Sequence, residues 1–417
     1  MKKIIIKILT LESRLVIWRH KPRIVAVTGT VGKTSTKDAI YTVFSNFFDT
    51  RKSKKSFNSE IGVPLTILDL SNKWNSFSGW AINIVKGFFV IFSRNYPKWL
   101  ILEVGMDRPG EIKRIAKWLK PDMVVATHFA DIPVHVEFFN SPRELIEEEQ
   151  SIAYSLKEDG VLVINGGDKY GLELKSKLDV KTVSFGMEET AGVVASHLET
   201  LYEGGKPIGI RFRAEHEGSS GPIVLKGVLG VQHVFPVLAA LSCGIALDLN
   251  VVAMSEAFRG HTPPPGRMRI LDGINNSIII DDTYNSSPIA VEKALDVVKD
   301  LQTSGRKVVI LGDMRELGDY AIKEHERIGL MASRVSDMLL FVGRHAKDFQ
   351  REINDSNSVV DVEGAISFMK NKVKDGDVIL VKGSQGIRLE KLVAILMKYP
   401  ERKKNLLVRQ DKEWKSI

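Results

Sequence analysis

The sequence of 417 residues contains one cysteine, Cys243. An intramolecular disulfide and any metal site built from several thiolates are therefore excluded. No run of about 18 uncharged apolar residues occurs, so no membrane-spanning helix is predicted. Residues Met1 to His20 are basic and apolar, but Lys7 and Arg14 interrupt the apolar run and no small-residue cleavage site follows. That pattern argues against a secretory leader and for a cytoplasmic location. Internal repeats and low-complexity tracts are lacking. A strong charge of one sign is lacking too: 59 Lys and Arg stand against 51 Asp and Glu, a net charge of +8. This mild excess suits an anionic ligand or an anionic membrane surface and does not call for nucleic acid. What is present is the composition of folded domains, 44% hydrophobic and 26% charged, which excludes a fibrous or mostly disordered chain. The length suits two or three domains.

Short apolar runs alternate with helical patterns. RIVAVT (23–28), WLILEV (99–104), MVVAT (123–127) and VLVIN (161–165) read as buried strands of a parallel α/β sheet. Residues 182–230 carry short β-like runs and glycine turns, which predict a small antiparallel insertion. HTPPPG (261–266) is the clearest linker, because successive prolines stop a helix and stiffen the chain. A second α/β pattern follows, with strands at 278–281, 307–311, 338–342 and 378–381. Two segments have a different character. Ile4, Ile8, Leu11, Leu15 and Trp18 recur at helical spacing among lysines and arginines, and Trp80 to Phe92 carries one charge, Lys86. Each either packs on the protein's own core or lies in a membrane interface.

Gly29-Thr30-Val31-Gly32-Lys33-Thr34-Ser35 follows a strand and opens a helix. Glycines let the backbone approach an anion closely, and a helix N-terminus aims N–H groups at it. Lys33 would reach the outer phosphates of a nucleotide and the Thr34 hydroxyl would ligate Mg²⁺. The glycine that usually opens such a loop is replaced by Val27.

Together with later segments, this loop resembles the Mur ligase family, the ATP-dependent amide ligases that build the peptidoglycan stem peptide. TGTVGKTSTKD is similar to that family's own short phosphate loop. FNSEIGVP (57–64), LEVGMDRPGEI (102–112), HVEFF (135–139), PGR (265–267), DDTYNSSP (281–288), GDMRELG (312–318) and KGSQGIRLE (382–390) follow in the family's order. DRPGEI and the last four resemble the branch that adds D-alanyl-D-alanine to UDP-N-acetylmuramoyl-tripeptide. The resemblance implies a P-loop-type central ATPase domain with a parallel sheet, over 22–262. It also implies a Rossmann-like α/β carboxy-terminal domain over 263–417, with residues 1–21 as an amphipathic helix.

The resemblance also implies roles. Gly29, Thr30, Gly32, Lys33, Thr34 and Ser35 would bind ATP. Glu103 with Thr34 would hold one Mg²⁺, and His135 would ligate a second. Arg267 would meet the ATP phosphates and Asp282 the ribose hydroxyls. Lys382, Ser384 and Arg388 would contact the amino substrate, Asn58 and Ser59 the nucleotide-peptide. The implied chemistry is the formation of an acyl phosphate from the stem-peptide carboxylate and ATP, followed by attack of the amine. Taken singly, Glu103 reads as a solvated strand-end carboxylate, His135 as a loop histidine, and Arg267 with Asp282 as an ion pair. His128, His233, His261 and His325 read as structural or surface residues.

Three departures from the family are expected to matter. Only 22 residues precede the loop strand where members carry a uridine-nucleotide-binding domain, so the recognition of uridine would differ. Glu149 stands where most members have a carbamylated lysine, and would supply that carboxylate directly without bicarbonate. The adjacent Glu147 and Glu148 are alternatives for the same place. His233 and Pro236 stand where asparagines often read adenine. Beside the D-alanyl-D-alanine ligase, two readings compete: the same chemistry on another carboxylate and amine, including a membrane-associated acceptor, and a non-catalytic nucleotide-binding scaffold. A monomer in the cytoplasm is expected, with peripheral contact at the inner face of the membrane as an additional reading.

Overall fold

The computed structural model describes residues 2–54, 57–353, 355–411 and 414. Packing divides the chain into two units. The first comprises Met1–Ser196, Arg213–Ile223 and Val234–His261. The second comprises His197–Phe212, Val224–His233 and Thr262–Ile417.

The elements of the first part of the chain are α1 (Lys2–His20), β1 (Arg23–Thr28), α2 (Lys33–Phe44), β2 (Thr50–Lys52), α3 (Gly62–Ile67), α4 (Phe77–Val90), β3 (Trp99–Glu103), α5 (Glu111–Ala116), β4 (Met123–Ala126), α6 (Pro142–Gln150), β5 (Val161–Asn165), α7 (Lys169–Lys177), β6 (Lys181–Gly186), β7 (Val193–Glu203), β8 (Lys206–His216), β9 (Ser219–Lys226), α8 (Val234–Ile245) and α9 (Val251–Ala257). The strands form one sheet in the order β2-β3-β1-β4-β5-β6-β7-β8-β9. Pairing from β2 through to the start of β7 is parallel. Strands with helices on both faces need apolar side chains on both, and WLILE of β3 and VLVIN of β5 are buried throughout. β9, by contrast, alternates buried and exposed residues, as a strand with one wet face does. The stretch that reads as an antiparallel insertion thus extends the main sheet. β7, β8 and β9 are joined by two-residue turns at Gly204–Gly205 and Glu217–Gly218, and the distal parts of these strands group with the second unit.

From β1 the chain goes out through α2 to β2, returns to β3, and crosses to the other side of β1 for β4. The carboxyl ends of β3, β1 and β4 are therefore neighbours, with Val27 beside Glu103 and Thr28 beside Ala126. This is a topological switch point, where open α/β sheets bind ligands.

Helix α1 packs on α3 and α4 through Ile5, Leu9 and Val16. At about 1.5–3 kcal/mol for each fully buried aliphatic side chain, that contact is strong enough to hold the helix down. Glu12 lies in the same contact and comes so close to Gly87 that a Cβ at position 87 would collide with its Oε2. Burial pushes the Glu12 carboxyl up to about 7. His20 Nε2 donates to the Val90 carbonyl (3.3 Å), and the ring stacks on Tyr96.

The second unit holds β10 (Arg269–Asp272), β11 (Ile278–Asp282), α10 (Pro288–Asp300), β12 (Lys307–Gly312), α11 (Ala321–Ser333), β13 (Met338–Val342), α12 (Ala346–Gln350), β14 (Asn357–Val359), α13 (Val362–Met369), β15 (Val378–Lys382), α14 (Glu390–Leu396) and α15 (Lys403–Leu406). Its sheet runs β10-β11-β15-β12-β13-β14, with β10 antiparallel and the others parallel. Ile279, Ile310, Leu340 and Val381 lie in its core.

Candidate active site

The turn between β1 and α2 is set by two glycines with positive φ. Gly29 has φ +119°, and a Cβ there would meet the Thr127 hydroxyl and lie 3.0 Å from the His128 carbonyl. Gly32 has φ +90° and caps α2 without a side chain, so no capping group takes the first-turn N–H donors. Thr127 pins the loop from β4, its hydroxyl donating to Val31 O at 2.7 Å and to Thr28 O at 3.0 Å. The amides of Thr30 and Val31 donate to the His128 carbonyl, at 2.8 and 3.3 Å.

Lys33, at the first turn of α2, folds its ammonium back over the loop, to the carbonyls of Gly29 and Thr30. Its Nζ lies 3.8 Å from Glu149 Oε1. The Thr30 hydroxyl donates to Glu149 Oε2 (2.7 Å) and accepts the Ala130 amide (3.2 Å). The Thr34 hydroxyl donates to Glu103 Oε1 at 3.3 Å, and Asn58 Nδ2 donates to the same oxygen at 3.2 Å. Ser35 is buried in the next position, and Ser59 lies just before α3, its carbonyl accepting the Val63 amide. His135 follows β4 with φ +74°, and its Nε2 lies 3.8 Å from Asp107. Loop, carboxylates and histidine thus gather at the switch point.

Of the three consecutive glutamates in α6, Glu149 is the one that reaches the loop. Glu148 turns the other way and accepts the Ile112 and Lys113 amides at the start of α5, while Glu147 pairs with Arg143 at the surface. Burial pushes the Glu149 carboxyl above its ordinary range. Lys33, the Thr30 hydroxyl and His135 pull it back in part. Desolvated but facing the Lys33 ammonium and the Thr30 hydroxyl, it is a carboxyl whose ionised form a further positive charge would stabilise.

Sequence reasoning passed over three residues here. Lys37, 1% exposed, places its ammonium 3.7 Å from Glu103 Oε2. A lysine one helical turn after Lys33 was the only available signal. Asp168 accepts the Phe129 amide (2.6 Å) and pairs with His128 Nδ1 (2.9 Å), tying the segment after β4 to the start of α7. Thr127 is the third. The Thr34–Glu103 pair is a set of hard oxygen donors beside a phosphate-type lysine, which suits Mg²⁺ with its few protein ligands. Among the described residues no three His, Cys, Asp or Glu side chains cluster into a self-sufficient metal cage.

In the second unit, β11 and β15 run in a register that sets Asp282 beside Lys382. Lys382 Nζ donates to Asp282 Oδ2 at 2.6 Å and to Asn285 O at 3.1 Å, and the Met268 amide donates to Asp282 Oδ1. Asp282 thus pairs with Lys382, while Arg267 lies over the Tyr284 ring at 4.2 Å. His233 meets the Arg267 carbonyl at 3.0 Å, and Pro236 is buried in α8. Ser384 accepts the Arg315 amide at 2.8 Å. Arg388, with φ +64°, donates to Glu390 at 2.7 Å. Burial pushes Glu390 up, but Arg409 and Arg388 outweigh it and hold it below the usual range. His325 is buried and accepts the Met314 amide, and His261 meets the Thr42 hydroxyl at 2.7 Å.

Residues 27–242 match the family described as the Mur ligase middle domain, and 266–385 match the Mur ligase glutamate ligase domain. The chain is 26% identical over 387 residues to the UDP-N-acetylmuramoyl-tripeptide–D-alanyl-D-alanine ligase of Bacillus subtilis, covering 91% of this chain and 76% of that protein. Its fold is similar to MurF of Acinetobacter baumannii, with TM-score 0.78 and 22% identity, covering 94% of this chain and 80% of that one. It is also similar to MurF ligase from Thermotoga maritima in complex with ADP, with TM-score 0.77 and 24% identity, covering 95% and 84%.

Proposed function

The chain belongs to the Mur ligase family, and from that premise we propose that it is an ATP-dependent amide ligase of peptidoglycan precursor synthesis. It joins D-alanyl-D-alanine to the carboxylate of a UDP-N-acetylmuramoyl-tripeptide through an acyl phosphate, with ADP and phosphate as the other products. The observation that carries this reading is the convergence of Lys33, Thr34, Glu103 and Glu149 on one glycine loop at the sheet's switch point. The relatives' own activity supplies the substrates.

Each residue of the first unit then has a role that follows from its chemistry. Lys33 draws the outer phosphates to the loop and stabilises charge as the phosphoryl group moves. Thr34 and Glu103 would hold one Mg²⁺, and Glu149 with His135 a second. Bound there, the ions would neutralise phosphate charge. Lys37 faces the other oxygen of Glu103, and Asn58 holds the oxygen that Thr34 also meets. Glu149 takes the place of a carbamylated lysine, so the enzyme works without bicarbonate. Asn58 and Ser59 are assigned to the nucleotide-peptide. In the second unit, Arg267 and Asp282 are assigned to the nucleotide, and Lys382, Ser384 and Arg388 to the amino substrate. The domain limits 22–262 and 263–417 belong to the same proposal, as do a cytoplasmic location and a monomeric state.

Phosphate release tests the reading. Purified protein with MgATP should release phosphate only when UDP-N-acetylmuramoyl-tripeptide and D-alanyl-D-alanine are both present. Release with a different acceptor or amine from a panel would move the substrate assignment. No release with any pair would sink the ligase reading.

A further inference from the structure

Helices α1 and α4 pack together and each leaves one apolar stripe in solvent. On α1, Ile4, Leu11, Leu15 and Trp18 follow one another at helical spacing, and Trp18 is 74% exposed. On α4 and just beyond it, Ile82, Val85, Phe88, Phe89 and Phe92 do the same, and Phe89 is 65% exposed. The opposite faces are already used: Leu9 and Val16 of α1, with Trp80, Asn83 and Gly87 of α4, are buried. Single exposed leucines need no explanation, but nine large side chains on two adjoining helices do.

The charge pattern indicates what covers them. Residues 2–21 and 71–98 hold ten lysines and arginines and one carboxylate, a net charge of +9. The whole chain carries +8, so all its basic excess lies in these two segments and the rest is close to neutral. The one carboxylate, Glu12, is buried against Gly87, so no acid interrupts the exposed surface. Lys3, Lys7 and Arg14 flank the α1 stripe and Lys86 the α4 stripe, all exposed. No helix among the described residues is long and apolar enough to cross a membrane.

We infer that the α1–α4 face docks on an anionic lipid bilayer, with aromatic and aliphatic side chains in the acyl boundary and the lysines and arginines at the headgroups. A protein partner with an acidic surface would satisfy the cations but not the apolar stripes. A second copy would bring cation against cation. A bilayer with anionic headgroups satisfies both. This inference stands on surface chemistry and does not depend on the ligase reading.

Flotation of the full chain with vesicles tests it. Vesicles of phosphatidylcholine with about 30 mol% phosphatidylglycerol should carry the protein up, and phosphatidylcholine alone should carry far less. Raising the salt should weaken the binding. Lys3→Glu with Lys7→Glu should lower the bound fraction at least ten-fold, since each cation near such a surface is worth about five-fold. Phe88→Ser with Phe89→Ser should lower it as much, while circular dichroism and phosphate release in solution stay as in the wild type. No flotation at low salt with the anionic vesicles would overturn the inference. Equal flotation with both kinds of vesicle would overturn its electrostatic part. A dimer in light scattering that the Phe88→Ser, Phe89→Ser variant abolishes, without flotation, would assign the face to a second copy instead.

Discussion

Around the glycine loop of the first unit, oppositely charged side chains converge without closing to hydrogen-bond distance. Lys33 and Glu149 stand 3.8 Å apart, and Lys37 and Glu103 3.7 Å. In the second unit the same residue types close on each other: Lys382 and Asp282 meet at 2.6 Å, Arg388 and Glu390 at 2.7 Å, Arg409 and Glu390 at 2.8 Å. Looser pairs around a phosphate-type loop keep charge available for a ligand. Tight buried pairs satisfy the protein itself, and removing one partner strands the other. The difference separates charged groups that face a phosphate-type loop from pairs that carry the fold.

The sharpest test of that contrast is Lys33→Ala. Phosphate release should fall by about 10²–10³-fold, the loss seen when one charge-stabilising donor is removed, with the melting temperature little changed. A large drop in melting temperature would show that Lys33 is structural and would collapse the comparison. Next comes Lys382→Met, which should destabilise the protein by about 3 kcal/mol in urea titration, because it strands Asp282 among buried neighbours. An unchanged stability together with a raised KM for the amine would move Lys382 to the ligand-facing group. Glu149→Gln should reduce turnover by about ten- to a hundred-fold while leaving stability equal or higher, since a carboxylate disfavoured by burial is removed. Added bicarbonate should leave the wild-type rate unchanged. The smallest effect belongs to Asp281, which burial pushes up from 3.8 to about 6. Between those values the folded chain holds more protons than the unfolded one, so stability falls as pH rises through this window and levels off above it. Asp281→Asn should flatten that decline by about 1–2 kcal/mol in melting curves taken at pH 4 to 8.

Local features were legible in the sequence. The strands announce themselves as apolar runs because both faces of a parallel sheet are covered, and the glycine loop because only glycine tolerates its φ values. The place of Glu149 beside the loop was expected from its offset from HVEFF. Its distinction from Glu148 lies in helix phase, which turns Glu148 toward α5 and Glu149 toward the loop. Pairs set by sheet register were not legible. Asp282 and Lys382 are 100 positions apart and meet because β15 inserts beside β11. Lys37 looks like an ordinary polar residue of an amphipathic helix, and its burial beside Glu103 depends on the β1–β3 pairing. The continuation of the sheet through β7 to β9 was likewise hidden, since strand runs do not state which edge they join.

The approach of Glu12 to Gly87 has a consequence for descent. A side chain at position 87 would force the Glu12 carboxylate, the far end of a flexible side chain, to swing out of the α1–α4 contact. A change at position 87 is therefore felt at position 12, although α1 and α4 are far apart along the chain. In sequences that keep both helices, a larger residue at 87 should favour a shorter one at 12, so that the two helices change as a single plate.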